Sequence, residues 1–308
     1  MAFAVQGNIP DHYKIKYSDQ WETVIQQEMA KFEARGQILS DWVEKQYVAT
    51  DLEKTDWQFD DSRFGETNPT EAGNGGWRSG FKRKARVAKK FDQWDDKFLS
   101  TLGLPDSAVI RSMKMGWNRI KDTMFLDAAG ADALGGPHPH TTPQVFPTGN
   151  VIPVDYKYTG TPANIGLTPH KLLRVQELAL KADVDIFNED VYLAISPRQY
   201  TDMIVYSETY ATDTWAKVVS KWLENPTQKL MGFTPIISNR LTLDSATDIR
   251  TCVAFSDRAM KVAPLDMRTH MDVLAGQKHA LQIAHYALWG VYRHHDELVW
   301  KVQCDESP

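Results

Sequence analysis

Cysteine is scarce in this 308-residue chain: Cys252 and Cys304 are the only two, and neither belongs to a CxxC pair. A disulfide framework or zinc ribbon is therefore excluded, and two buried, reduced thiols are expected. Long apolar runs are missing as well, so no segment is suited to cross a bilayer as a helix. The opening MAFAVQGNIP lacks the charged and apolar regions of a signal peptide, so neither export nor membrane association is expected. Excess positive charge is also absent. A formal net charge of -5 and a pI near 6.0 exclude a surface that attracts nucleic acid everywhere, and any basic patch must be local.

Catalytic signatures are equally thin. The sequence carries no GxSxG, HExxH, GxGxxG or Cys/His nucleophile setting. The glycines of GNGGWRSG, Gly73 to Gly80, are not followed by GK[ST], which argues against a phosphate cradle. His138 with His140, and His294 with His295, are candidate metal ligands by type. Neither pair has a third ligand at an established spacing, and structural histidines are the expected reading. Asp95 and Asp96 read as adjacent surface acids rather than a tuned acid and base. No catalytic, cofactor-binding or metal residue is assigned.

What is present is organised around 106–129. Val109, Met113, Gly116 or Trp117, Ile120 and Met124 recur at threes and fours, which predicts an amphipathic helix. Pro105 and Asp106 stand at its start, and Gly130 stands where a left-handed residue would stop it. At 1.5 Å per residue such a rod is roughly 36 Å long. Ahead of it, Trp21, Val24, Ile25, Met29 and Phe32 predict a helix from Ser18 to about Gly36. Its apolar face fits either its own core or a neighbouring molecule.

Between these helices the charge changes sign. Asp51, Glu53, Asp56, Asp60, Asp61 and Glu66 precede a tip through Asn68, Pro69, Gly73, Asn74, Gly75 and Gly76. Arg78, Lys82, Arg83, Lys84, Arg86, Lys89 and Lys90 follow, with no acid until Asp92. This predicts a long hairpin with opposite charges facing across its ladder. Few apolar residues support it, so it is expected to lie on another surface, a neighbouring subunit. Trp77 and Phe81, interleaved with the basic residues, leave nucleic-acid binding as an alternative.

After the rod, 130–168 is dense in Gly and Pro, with a strand expected only at 151–158. Helices are predicted at 169–182, from Pro197 through Ile204, and at 214–223. Strands are predicted at 191–195, 234–238, 251–255, 260–265, within the apolar run 279–292, and at 298–304. Helices and strands do not alternate in βαβ order, so the fold class is α+β.

In this order of elements the sequence resembles the major capsid protein family of tailed bacteriophages, with the Hong Kong 97-type fold. The resemblance rests on Trp117-Asn118-Arg119-Ile120-Lys121-Asp122 leading to Leu126-Asp127-Ala128-Ala129-Gly130, and on Val191-Tyr192-Leu193-Ala194-Ile195-Ser196-Pro197. It rests also on Gly232-Phe233 before Pro235-Ile236-Ile237-Ser238, and on Trp289-Gly290-Val291-Tyr292-Arg293 before Leu298-Val299-Trp300-Lys301-Val302. It implies an N-terminal arm at 1–43, an extended hairpin loop at 44–92, and a peripheral domain with the spine helix at 93–165. An axial domain at 166–267 and return strands of the peripheral domain at 268–308 complete the expected division.

The implied function is a non-enzymatic major capsid protein that self-assembles, as hexamers and pentamers, into the icosahedral shell around a tailed-phage double-stranded DNA genome. Further implied partners are a separate scaffolding protein, a portal, a decoration protein and packaged DNA on the inner face. The implied location is the virion, after assembly in the host cytoplasm. Expected inter-subunit contacts are Trp21, Phe32, Trp57, Phe59, Arg78, Lys82, Arg83, Lys84 and Arg86. Two other readings are an encapsulin-like nanocompartment shell and a cytosolic metal-dependent enzyme using His138 and His140.

Overall fold

The computed structural model describes residues 26–52, 74–91, 106–157, 163–209, 214–225 and 228–307. Trp21, Trp57, Phe59, the acidic run from Glu53 and the pair Asp95 and Asp96 lie outside the described residues. The chain divides into two compact units.

The first unit comprises Met1–Ala30, Lys84–Lys121 and Leu265–Trp289. Its sheet joins β13 (Asp266–Leu274) to β14 (Ala280–Trp289), and β14 to β4 (Arg83–Phe91). The β13–β14 ladder is antiparallel from Asp266 opposite Leu288 to Leu274 opposite Ala280. The unit also holds the first sixteen residues of the long helix α1, Asp106–Gly130.

The second unit comprises Lys31–Arg83, Asp122–Pro264 and Gly290–Pro308. Its main sheet has six strands in the order β7 (Val151–Ile152), β16 (Val299–Asp305), β11 (Ile249–Ser256), β8 (Val191–Ile195) and β9 (Phe233–Ile237), with β10 (Leu243–Asp244) paired to β11. β16, expected among the return strands, is thus an interior strand between β7 and β11. All five residues of β8 are buried, as a continuous apolar run in mid-sheet requires. Helices α2 (Pro169–Lys181), α3 (Pro197–Thr209) and α4 (Thr214–Glu224) belong to this unit. On α2 the buried Leu172, Val175 and Ala179 keep helical spacing.

Two smaller sheets complete it: β2 (Gln46–Leu52), β3 (Asn74–Phe81), β5 (Ala133–Gly135) and β6 (Thr142–Gln144) in one, and β1 (Gln37–Ile38), β12 (Met260–Val262) and β15 (Val291–Arg293) in the other. The apolar run 279–292 is therefore split at Gly290 between β14 and β15. Position 290 must be glycine, because a Cβ there would stand 2.8 Å from Cη2 of Trp42.

Three expectations are corrected. No α-helix occupies 26–36; only Glu33–Arg35 forms a single 3-10 turn, because the Lys31 and Phe32 amides donate to the Asp122 carboxylate instead of a preceding helical carbonyl. The buried stripe of α1 runs through Met113, Trp117, Lys121, Asp122, Phe125, Leu126 and Ala129. Ile120 is 46% exposed, since two polar residues occupy the inward face and displaced it in an apolar count. Gly130 is not left-handed; the only glycines with positive φ among the described residues are Gly136 and Gly232.

Candidate assembly interface

A surface available to another molecule is what the chain's own packing leaves over. Phe32 is not part of it. Its ring is fully buried, stacked on Phe125 at 5.7 Å and 6.3 Å from Phe255, which in turn meets Tyr192 at 5.6 Å. The expected inter-subunit role of Phe32 is corrected: the side chain belongs to the second unit's core. In the first unit, Gln26 and Glu28 are held to the surface of α1. Asn118 Nδ2 donates to the Glu28 carbonyl at 2.6 Å, Arg119 Nη1 donates to Gln26 Oε1 at 2.7 Å, and Arg111 pairs with the Glu28 carboxylate.

The expected hairpin is half right. β2 and β3 pair antiparallel, Gln46 opposite Phe81 and Thr50 opposite Trp77, with a bulge between Thr50 and Leu52. Arg78 sits opposite Ala49, not an acid, and its guanidinium pairs instead with Asp296. Opposite charges therefore do not face one another across this ladder. Beneath it Trp42, Tyr47 and Tyr292 pack at 5.6 to 6.4 Å. Burial pushes the Tyr292 phenol well above its ordinary range. A Cβ at Gly80 would collide with Tyr292 Cδ1 at 2.4 Å, so only glycine lets the strand cross these rings.

Lys82 follows β3 and is buried. Its ammonium donates to the Trp42 and Val43 carbonyls, while its amide donates to the Lys45 carbonyl at 2.8 Å. Arg78 and Lys82 were both expected to reach a neighbouring subunit; both are corrected, because their charged ends are used inside the chain. Trp77 likewise stacks on His140 at 4.9 Å.

Past Lys82 the environment changes. Arg83, Lys84 and Arg86 are exposed, as are Val87, Ala88, Lys89 and Lys90; only Ala85 and Phe91 of β4 are half-buried. A strand normally hides one of its two alternating faces. Here both are open, at the edge of the β13–β14–β4 sheet. β13 repeats the pattern, with Met271 51% and Val273 61% exposed. Sequence inspection missed β13, although Met267, Thr269, Met271 and Val273 alternate with polar residues.

The histidines divide. His140 Nδ1 lies 2.6 Å from the Gly136 carbonyl, and neither it nor His138 belongs to a three-ligand grouping among the described residues. His294 and His295 both approach Asp51. Burial first, then the neighbouring His295, pushes His294 down to about 4 despite the Asp51 carboxylate.

No helix of the described residues is long and apolar enough to cross a membrane. Residues 9–306 match the phage capsid protein family model, a span that includes both units. The chain belongs to the phage capsid protein family. No curated protein is a significant match in sequence.

Solved capsid structures share the fold at low identity. The capsid of Cyanophage P-SCSP1u superposes with a TM-score of 0.67 at 13% identity, covering 99% of this chain and 97% of that one. The head structure of Helicobacter pylori bacteriophage KHP40 gives 0.62 at 10% identity, with 100% of each chain covered. Mycobacterium phage Ogopogo gives 0.59 at 15% identity, covering 98% and 100%. The fold is the α+β, Hong Kong 97-type capsid fold that the order of elements implied. This capsid chain is a structural component of the virion shell and associates with copies of itself into capsomers. No observation favours an encapsulin-like shell or a histidine-based enzyme over that function.

Proposed function

We propose that this capsid protein closes an icosahedral shell of hexamers and pentamers around a tailed-phage double-stranded DNA genome, and that β4 is a principal seam between neighbouring copies. The carrying observation is that β4 is open on both faces and bears Arg83, Lys84, Arg86, Lys89 and Lys90 with no acid between them. Exposed apolar side chains on the same sheet, Val87, Met271, Val273 and Tyr286, supply area that a neighbour would cover. Each exposed ion pair contributes only about 0 to 1 kcal/mol, but repetition around a closed shell multiplies it. Trp57 and Phe59 are proposed to join this seam as apolar contacts, and Trp21 to join it through the N-terminal arm.

A protein partner suits β4 better than DNA does, since Trp77 and Phe81, the two aromatics that would stack on bases, lie on β3 in a different sheet from the basic residues of β4. Assembly in the host cytoplasm with a separate scaffolding protein and a portal, and later packing of DNA against the inner face, complete the proposed cycle.

The double variant Lys84→Glu with Arg86→Glu tests the seam. Electron microscopy with a sizing column should show free capsomers or monomers in place of closed particles, with the circular dichroism spectrum unchanged. Closed particles at the wild-type yield would refute the assignment.

A further inference from the structure

Asp51, His294 and His295 come together in the second unit. Their donor atoms all lie within 4.8 Å of one another. His294 Nε2 is 2.9 Å from Asp51 Oδ1, and His295 Nδ1 is 4.0 Å from Asp51 Oδ2. Two local features bring this about. The ladder register shifts between Thr50 and Leu52: Gly75 and Gly76 of β3 stand against the single residue Asp51 of β2, and the kink and added twist at such a bulge re-aim the side chain opposite it. Successive residues of an extended chain normally point to opposite faces. At the bend between β15 and the turn Asp296–Leu298, the two imidazoles instead stand with ring centroids 4.3 Å apart and turn nitrogens toward one carboxylate.

We propose that Asp51, His294 and His295 form a binding site for a divalent transition-metal cation of the zinc class. Two imidazole nitrogens and one carboxylate oxygen are the donor set such ions prefer, whereas magnesium and calcium demand oxygen ligands throughout. Ligand atoms around a tetrahedral zinc stand roughly 3.3 Å apart, a consequence of bond lengths near 2 Å. The observed spacings bracket that value, so small side-chain rotations suffice. Nδ1 of the buried His294 has no hydrogen-bond partner among the described residues, so nothing on that side fixes the tautomer carrying its proton on Nε2. Moving that proton to Nδ1 frees the Nε2 lone pair for the metal. His295 and Asp51 are only half-buried, which leaves an entry path and a fourth position for water.

Bound there, the ion ties the far end of β2 to the segment that follows β15. Residues 51 and 294, distant in sequence, would be braced by coordination bonds at the point where the chain leaves for 53–73. Nothing in the proposed seam on β4 depends on this site.

The test uses the full-length protein as purified, stripped with chelator and dialysed against buffered micromolar zinc, or cobalt as the spectroscopic probe. One equivalent of zinc per chain is expected, together with a visible cobalt band of tetrahedral intensity and a rise in Tm. Asp51→Asn and His295→Ala should each weaken binding at least tenfold, since loss of even an outer-shell partner costs about 10 to 100-fold. The double variant His138→Ala with His140→Ala should keep the full equivalent. His295 is partly exposed, so its removal leaves the core intact, and circular dichroism verifies that. Absence of binding, or unaltered stoichiometry and affinity in Asp51→Asn and His295→Ala, would overturn the proposal.

Discussion

The guanidinium of Arg293 donates to the carbonyl of Ala129 at 3.0 Å and also to that of Ala131. It thereby satisfies the C-terminal end of α1, which Gly130 does not cap. The same side chain is fully buried, donates through Nε to Asp296 at 2.6 Å and lies over the Phe146 ring. A cation at a helix C-terminus is favourable in any case. Here it also occupies a buried ion pair that Asp296 shares with Arg78.

Arg293→Met should therefore be costly. It leaves the buried Ala129 carbonyl without its donor, which costs about 1 to 3 kcal/mol, while Asp296 keeps its pair with Arg78. Denaturant unfolding of the unassembled chain should show that loss as a lower midpoint with an unchanged slope. A loss under about 1 kcal/mol would mean that Arg293 contributes no more than an exposed pair.

Lys82 and Lys84 are two residues apart and should behave oppositely. Lys82→Met strands the Trp42 and Val43 carbonyls and should destabilise the chain by about 1 to 3 kcal/mol. Lys84→Met, at an exposed site, should stay within about 0.5 kcal/mol of wild type. Parallel thermal melts of the two variants make the comparison.

The glycines of β3 offer a steric test. Gly80→Ala forces a methyl against Tyr292 and Trp42 and should cost about 1 to 3 kcal/mol through overpacking. Gly76→Ala meets nothing within 4 Å, so its stability should not fall. Equal melts for both would contradict the close crossing.

Glu306 makes part of the stability pH-dependent. Burial pushes its carboxyl up, but hydrogen bonds from Ser196, Arg250 and Gln199 outweigh that and hold it below the ordinary value of 4.5. A folded-state value below the unfolded one means stability that is fully present above pH 4.5 and is lost as pH falls below it. Unfolding free energies of wild type and Glu306→Gln should therefore differ at neutral pH and converge as pH drops under 4.5. A constant gap would show that Glu306 does not titrate differently on folding.

Much of the architecture was legible along the chain. The rod at 106–129, the buried run Val191 to Ile195 and the helix opening at Pro197 appear within a few residues of their expected bounds, because each carries its periodicity or its punctuation locally. The order of these elements also implied the capsid family that the whole-chain match shows. What could not be read locally were partners. Phe32 looked like the sticky face of a helix until Asp122, ninety residues away, took its amide. Asp51 appeared to be one acid in an acidic strand until the tertiary fold set it beside two histidines more than two hundred residues away.

By itself, then, the sequence determined most of the elements, their order and the α+β class, since these follow from spacing and turn chemistry within a dozen residues; the helix expected through 26–36 and the unforeseen β13 are the exceptions. Only the tertiary structure decided which cations of the basic stretch remain free. Lys82 and Arg83 are neighbours with the same charge, yet one ammonium is consumed by carbonyls forty residues back and the other cation faces solvent. Charge is a property of the residue, but its availability depends on whether folding brings an acceptor within hydrogen-bond reach.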